Sequence, residues 1–129
     1  MPNQFVVQLK NEPGSMASLA EKLAERGVDL RAIGGGGIGD SGHVIMTTAD
    51  DEATRRVLEE DGYTFIEGES ILAEVDDRPG GMARLSRALA DAGVNIYGHL
   101  FLGRWGDRAM FAFVVDDAER ARPILERKT

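Results

Sequence analysis

The sequence contains no cysteine. This absence excludes a disulfide framework, a thiolate metal site and a cysteine nucleophile, and it fits a reducing cytoplasm, where we expect the protein. No apolar run approaches the roughly 20 residues that a membrane-spanning helix needs, so we expect no membrane partner. The first residues also lack the basic segment and apolar region of a secretory signal.

Basic residues are outnumbered by acidic ones, 15 against 22, and the net charge is −7. An acidic surface repels phosphate backbones, so we expect no nucleic-acid partner. Hydrophobic residues make up 43% of the 129 residues, which is enough for a globular core. This length accommodates one ordinary domain or two very small ones.

An internal repeat organises the chain. The segment that begins at Asn11 recurs from Asp76, with an offset of 66 residues between Pro13 and Pro79. The same offset aligns Gly14 with Gly80, Met16 with Met82, Leu19 with Leu85, Leu23 with Leu89, Gly27 with Gly93 and Val28 with Val94. We expect the register to continue without a gap to Asp50-Asp51 and Asp116-Asp117. The repeat therefore predicts two domains, residues 1–68 and 69–129.

The first repeat predicts the element order βαββαβ. Residues 4–10 alternate as a strand, and a helix follows Pro13-Gly14 with Ser15 as its N-cap. The apolar stripe of this helix is Met16, Leu19, Ala20 and Leu23, and Gly27 ends it. Strands over 28–38 and 43–49 flank a turn at 39–42, and Asp50-Asp51 opens a second helix before a strand over 63–66. This order predicts an α+β, ferredoxin-like fold with antiparallel sheets and helices on one face.

The second repeat predicts the same elements with one exception. Strands over 71–75, 95–102 and 109–115 and helices after Pro79 and over 116–127 follow the first repeat, with Trp105 in the turn at 104–107. The counterpart of Tyr63 is residue 129, so we expect the second unit to lack its last strand. An unpaired sheet edge favours an intimate interface between the halves or a homodimer.

A ferredoxin-like fold accommodates many functions, so the side chains must decide between them. An RNA-recognition module needs stacking aromatics, but the counterparts of Phe111 and Phe113 at this offset are Ile45 and Thr47. No catalytic Arg/Asn pattern of an acylphosphatase is visible. His43 and His99 have no partners at metal-ligand spacing. We therefore expect no catalytic residues, no metal, no cofactor and no enzymatic activity.

The chain resembles the ACT domain family, twice over, and its layout is similar to stand-alone tandem ACT proteins. The resemblance rests on Asn-Glu-Pro-Gly-Ser-Met at residue 11 and Asp-Arg-Pro-Gly-Gly-Met at residue 77, each followed by an apolar helix. Those helices end in Gly-Val-Asp-Leu and Gly-Val-Asn-Ile. The resemblance implies a regulatory protein that binds a small molecule, usually an amino acid, between paired domains, with a homodimer and a regulated protein partner.

The ligand-binding residues that the resemblance implies are Asn11, Glu12, Gly14, Ser15, Met16 and Asp29 in the first unit, and Asp77, Arg78, Gly80, Gly81, Met82 and Asn95 in the second. Amide groups at a helix N-terminus suit the carboxylate of an amino acid, and Asp or Asn oxygens suit its ammonium. Alternatively, Asn11 and Asp77 only close their turns, and Asp29 and Asn95 are plain loop residues. The alternative functions are a dimerisation or scaffold module with empty sites and, third, a small ferredoxin-like enzyme.

Two features depart from the family pattern. The run Gly34 to Gly39, interrupted only by Ile38, falls where a β-rich strand is usual. It predicts either a thin strand that a ligand or a neighbouring backbone approaches closely, or an irregular hairpin. The loop charges also differ, Asn11-Glu12 against Asp77-Arg78, which predicts that the two sites do not bind equally.

Overall fold

A computed structural model describes residues 2–126. The chain forms two compact units, the first ending at Gly68 and the second beginning at Glu69. Each unit is an antiparallel sheet covered by two helices, and each is described by itself below.

The first unit has four strands and two helices in the predicted βαββαβ order. Its elements are β1 Gln4–Lys10, α1 Ser15–Glu25, β2 Leu30–Ile38, β3 Ser41–Thr48, α2 Asp51–Glu60 and β4 Phe65–Gly68. The sheet order is β2-β3-β1-β4, and every neighbouring pair is antiparallel. This arrangement confirms the predicted ferredoxin-like fold.

The core of the first unit lies between the helices and one face of the sheet. Phe5 and Val7 on β1 are fully buried, because alternate side chains of a strand share one face. Leu19 and Leu23 from the predicted helical stripe are also fully buried. Met16 packs only at the margin of this core, near the end of β1.

The predicted N-cap at Ser15 is wrong. The cap residue of α1 is Gly14, whose φ is 91°, and no side chain caps this helix. Ser15 is the first helical residue instead, because the chain enters the helix through a left-handed conformation that favours glycine. Gly80 repeats this entry with the same φ of 91° at the second unit's first helix. By contrast, Asp50 caps α2 by accepting a 3.0 Å hydrogen bond from the amide of Ala53.

The second unit has three strands and two helices among its described residues. Its elements are β5 Ile71–Asp76, α3 Gly81–Asp91, β6 Ile96–Trp105, β7 Arg108–Val115 and α4 Ala118–Leu125. The sheet order is β5-β7-β6, and its core includes the fully buried Leu89. Residue 129, which the fixed offset of 66 predicts as the counterpart of Tyr63, and the predicted helix end at 127 lie outside the described residues.

The two units differ by one residue in β6. Gly35 pairs with Val44 as Phe101 pairs with Phe111, but the next pairs are Gly36 with His43 and Gly103 with Met110. Leu102 is therefore an extra, bulged residue. The offset between the units is 66 up to Phe101 and 67 from Gly103 onwards.

The prediction of an uninterrupted register is thus wrong beyond Leu102. Asp117, not Asp116, is the counterpart of Asp50, and it caps α4 by accepting a 3.1 Å hydrogen bond from the amide of Arg120. The counterparts of Phe111 and Phe113 are Val44 and Met46 rather than Ile45 and Thr47, and all four contribute to the two cores.

Both predicted hairpin turns are too long. Gly39-Asp40 and Gly106-Asp107 alone form the turns, and Trp105 belongs to β6, where it pairs with Arg108. The glycine run is a paired strand, since residues 34–37 match residues 42–45 of β3 in continuous register. The structure therefore favours the thin strand over the irregular hairpin.

Candidate ligand-binding site

The first unit contains a cavity of about 380 Å³ at the end of the sheet where β1 leads into α1. Four predicted site residues line it: Asn11, Glu12, Ser15 and Met16. The opposite wall is the glycine-rich part of β2, residues 34–36. Gly14 does not line this cavity, but its positive φ sets the direction in which α1 leaves the loop.

Asn11 ties the loop to the neighbouring hairpin turn. Its side-chain Nδ2 donates a 2.9 Å hydrogen bond to the carbonyl of Gly39, and its amide donates to the carbonyl of Asp40 at 3.0 Å. A Cβ at Gly37 would lie only 2.6 Å from Cγ of Asn11, so a side chain here would displace the Asn11 amide from its present position. Asn11 thus closes its loop against β2 and β3, and a ligand-binding role for it stays a prediction.

Lys10 and Glu12, which flank Asn11, line this cavity and also a larger groove beside the same loop. Within residues 2–126 neither side chain forms an ion pair. An uncommitted ammonium and an uncommitted carboxylate are the groups that a zwitterion requires for charge-assisted hydrogen bonds.

The rest of the cavity wall is apolar side chains and bare backbone. Leu9, Met16, Ile33 and Val44 supply the apolar part. A Cβ at Gly35 would overlap the carbonyl oxygen of His43, so a side chain here requires a backbone shift. Glycine therefore keeps β2 close to β3 while leaving this wall open to a small molecule.

The second unit has a cavity of about 360 Å³ in the equivalent place. Of the predicted residues, Asp77, Arg78 and Met82 line it. Here the charges pair with each other. Arg104 Nε donates a 2.7 Å hydrogen bond to Asp77 Oδ2, and Arg78 Nη2 lies 3.2 Å from Asp76 Oδ2.

The glycines of the second loop act on the backbone rather than on the cavity. Gly80 adopts the left-handed conformation that starts α3. Gly81, the counterpart of Ser15, is buried, and a Cβ there would overlap the carbonyl oxygen of Asp76. Neither residue lines the second cavity. Their predicted binding role is therefore not supported by side-chain geometry and stays a prediction.

Asp29 and Asn95 are not brought to these cavities. Asp29 precedes the start of β2, whereas the cavity lies near its end, about 20 Å further along the strand. The carbonyl of Asp29 accepts from the amide of Ala49 at 2.9 Å, and the amide of Asn95 donates to Asp116 Oδ1 at 2.8 Å. Both residues join strands to the following connections, and their ligand contacts stay predictions.

Sequence reasoning missed Lys10 and Arg104 as cavity residues. Lys10 was detectable, because it directly precedes the loop at the end of an alternating strand. Gly37 and Arg104 become equivalent only once Leu102 is recognised as a bulge. A fixed offset of 66 aligns Arg104 with Ile38 and hides the relation.

A larger groove of about 890 Å³ lies on the other side of the β1–α1 loop. Lys22 Nζ donates a 3.3 Å hydrogen bond to the hydroxyl of Tyr63 and stands 5.1 Å from the centre of its ring. This hydrogen bond raises the pKa of Lys22 above its usual value. Two basic and three acidic residues line the groove, so it favours no single sign of charge.

None of the four helices described for residues 2–126 has the length and apolar character that crossing a bilayer requires. Within the same residues, no group of three or more His, Asp or Glu side chains is placed to hold a metal ion.

Comparisons with known proteins establish the fold. No protein-family profile matches the sequence, and no curated protein matches it. Among solved structures, a Bacteroides thetaiotaomicron protein is 18% identical, with a TM-score of 0.70 over 97% of this chain and 86% of that one. The regulatory subunit of aspartate kinase from Thermus thermophilus is 20% identical, with a TM-score of 0.62 over 97% and 89%. The corresponding Thermus flavus subunit is 20% identical, with a TM-score of 0.63 over 98% and 92%. The chain thus has an ACT-like fold along nearly its whole length.

Proposed function

We propose that this protein is a regulatory protein that binds a free amino acid in the cavity of its first unit. It acts by binding and not by catalysis, and the bound ligand changes a protein partner or the protein's own assembly. The observation that carries the proposal is the cavity in which the β1–α1 loop, the first turn of α1 and the glycine wall of β2 meet.

The charges of this cavity support a zwitterionic ligand. Lys10 suits the carboxylate and Glu12 suits the ammonium, and both are uncommitted among the described residues. The amide groups that begin α1 add a positive end close to the carboxylate. The apolar side chains of Met16 and Val44 suit the aliphatic part of an amino acid.

The fold comparisons are consistent with a regulatory role. Two of the similar structures are regulatory subunits of aspartate kinase. At 20% identity they establish the fold only, so the regulatory role of this chain rests on its own cavity and is tested by binding.

We also propose that two copies of the chain associate. β6 is ten residues long and forms one edge of its sheet among the described residues. It exposes Tyr97, Phe101 and Trp105, whose exposed fractions are 47%, 49% and 61%. Long edges with exposed apolar side chains tend to pair with another chain. Light scattering after size-exclusion chromatography measures the mass directly, and a monomeric mass at micromolar concentration contradicts this association.

The amino-acid proposal is tested by thermal unfolding in the presence of the standard L-amino acids, one at a time. A ligand at 100 times its dissociation constant stabilises the folded state by about 2.7 kcal/mol, so at least one amino acid should raise the melting temperature. Glu12→Gln should abolish this rise because it removes the ammonium partner. Glu21→Gln, which neutralises an exposed acid elsewhere on α1, is the matched control and should leave the rise unchanged.

Two results contradict the proposal. If no amino acid raises the melting temperature, the scaffold alternative replaces the sensor. If Glu12→Gln and Glu21→Gln behave alike, binding takes place elsewhere on the chain. A paired measurement on Asn11→Ala and Asp77→Ala then assigns it to one unit, since these residues are equivalent in the repeat.

A further inference from the structure

We propose that the second unit's cavity is closed to free amino acids by its own Arg104, which acts as an internal counter-ion for Asp77. The chain then binds one amino acid, in the first unit. This inference rests on the proposed function for the first unit, and it adds a specificity-determining residue in the second.

The equivalence of positions is the first step. Asp77 is the counterpart of Asn11, and through the bulge at Leu102 the counterpart of Gly37 is Arg104. In the first unit the Asn11 side chain lies against Gly37, which brings no side chain of its own. In the second unit the same two positions form the 2.7 Å ion pair between Asp77 and Arg104. Asp77 could pair with the ammonium of a ligand, but the guanidinium of Arg104 already occupies this place.

The support behind Arg104 is the second step. Its guanidinium carbon stands 4.7 Å from the ring centre of Phe101, and the Phe101 ring packs edge-on against Phe111 at 5.6 Å. The counterpart of Phe101 is Gly35. A cation over an aromatic face is held by the ring quadrupole, so the stack fixes the guanidinium beside Asp77. In the first unit the positions of Phe101 and Arg104 are glycines, Gly35 and Gly37, so no such stack can form.

The neighbouring charges are the third step. Among residues 2–126, Lys10 and Glu12 of the first unit form no ion pair, whereas the side chains of their counterparts Asp76 and Arg78 lie 3.2 Å apart in the second. Arg108 also pairs with Asp76, and Arg84 lies 3.8 Å from the same carboxylate. The cavities have similar volumes, about 380 and 360 Å³, so space does not distinguish them. The cavities differ instead in whether their charged groups are already paired. The ammonium of a free amino acid must displace the guanidinium of Arg104 before it can bind Asp77.

Titration calorimetry of the full chain with the standard L-amino acids tests the inference through stoichiometry. The wild-type chain should bind one amino acid. Arg104→Gly, which installs the residue of the first unit, should bind two. Arg104→Gln removes the charge with less change to β6 and should also gain the second site. Arg104→Lys keeps a cation beside Asp77 and should stay at one, and circular dichroism checks that each variant is folded.

The outcomes separate this inference from the proposed function. If the wild-type chain binds one amino acid and neither neutral variant gains a second, Arg104 is not the block, and the proposed function stands. If the wild type already binds two, the second unit is open and the inference is overturned. If only the Arg104 variants bind, the block is real, but the first unit is not the sensor. If no variant binds any amino acid, both proposals fail.

Discussion

The two units enter their first helices in the same way and diverge in the cavity that lies beside this entry. Gly14 and Gly80 share a φ of 91°, and Leu23 and Leu89 are both fully buried. In the strand on the far side of each cavity, Gly35 of the first unit occupies the position that Phe101 occupies in the second. The residues that set the backbone path and the core are shared between the units, whereas the residues that line the two cavities differ.

This difference teaches that equal folds and similar cavity volumes do not imply equal sites. In the part of the chain that the structure describes, the first cavity has a glycine wall and two charged residues without ion pairs, and the second has an aromatic wall and paired charges. The fold constrains where a cavity lies, and the side chains on two strands and one loop decide its chemistry.

The largest expected effect comes from the shared core. Leu23→Ala and Leu89→Ala each remove a fully buried side chain from equivalent helices. Each should lower the free energy of unfolding by about 2–5 kcal/mol, because the loss of buried apolar surface and the cavity left behind both destabilise the folded state. Urea unfolding followed by circular dichroism measures both.

The controls for this pair lie on the exposed faces of the same helices. Glu21→Ala and Arg87→Ala occupy equivalent exposed positions and should change the free energy of unfolding by less than about 0.5 kcal/mol. A cost below about 1 kcal/mol for Leu89→Ala alone would show that the second core is packed more loosely, which breaks the comparison at its most similar point.

An intermediate effect is expected in the glycine wall. A Cβ at Gly35 would overlap the carbonyl oxygen of His43 and lie 3.2 Å from Val44 Cα, and backbone atoms cannot rotate away. Gly35→Ala should therefore cost about 1–3 kcal/mol of stability. A Cβ at Gly36 meets no other atom within 4 Å, so Gly36→Ala should be nearly neutral. Equal costs for the two variants, measured by thermal unfolding, would contradict the close approach of β2 and β3.

The smallest effect concerns an ion pair for which the second unit has no equivalent among its described residues. On β4, Glu67 accepts hydrogen bonds from Arg55 at 2.6 and 2.7 Å and from Asn3 at 2.9 Å. The hydrogen bonds from Arg55, opposed by burial and assisted by Asn3, hold the pKa of Glu67 below its usual value. The unfolded chain therefore binds this proton more readily than the folded one.

Glu67 should thus stabilise the fold above pH 4.5, its ordinary pKa, and the contribution should fade as the pH drops through the lowered pKa. The expected gain over Glu67→Gln is less than about 1 kcal/mol at neutral pH, because Arg55 is partly exposed. Glu52→Gln removes an exposed ion pair with Arg56 and is the control. A difference between wild type and Glu67→Gln that does not change between pH 7 and pH 3 would contradict the assignment.

The fold was predictable because its signals are local and occur twice. The alternation of β1, the apolar stripe of α1 and the Pro-Gly entry each specify an element without reference to distant residues. The ends of elements were less predictable. Ser15 has the chemistry of an N-cap, but the left-handed conformation of Gly14 places it one residue too late.

The candidate site was predictable only for the loop. Asn11, Glu12 and Met16 line the cavity because they directly precede or begin α1. Arg104 was not predictable, since its contact with Asp77 depends on strand pairing over 27 residues and on a bulge. A bulge reverses the alternation of side chains beyond it, and the sequence carries no strong local signal for one.

Leu102 has a simple genetic reading. The bulge absorbs the one extra codon of the second repeat, so Gly103, Arg104 and Trp105 keep the strand pairing of Gly36, Gly37 and Ile38. The arginine at the mouth of the second cavity is therefore a change of residue that is independent of this codon. Deletion of Leu102 should remove the bulge and leave Arg104 paired with Ala109, beside Asp77.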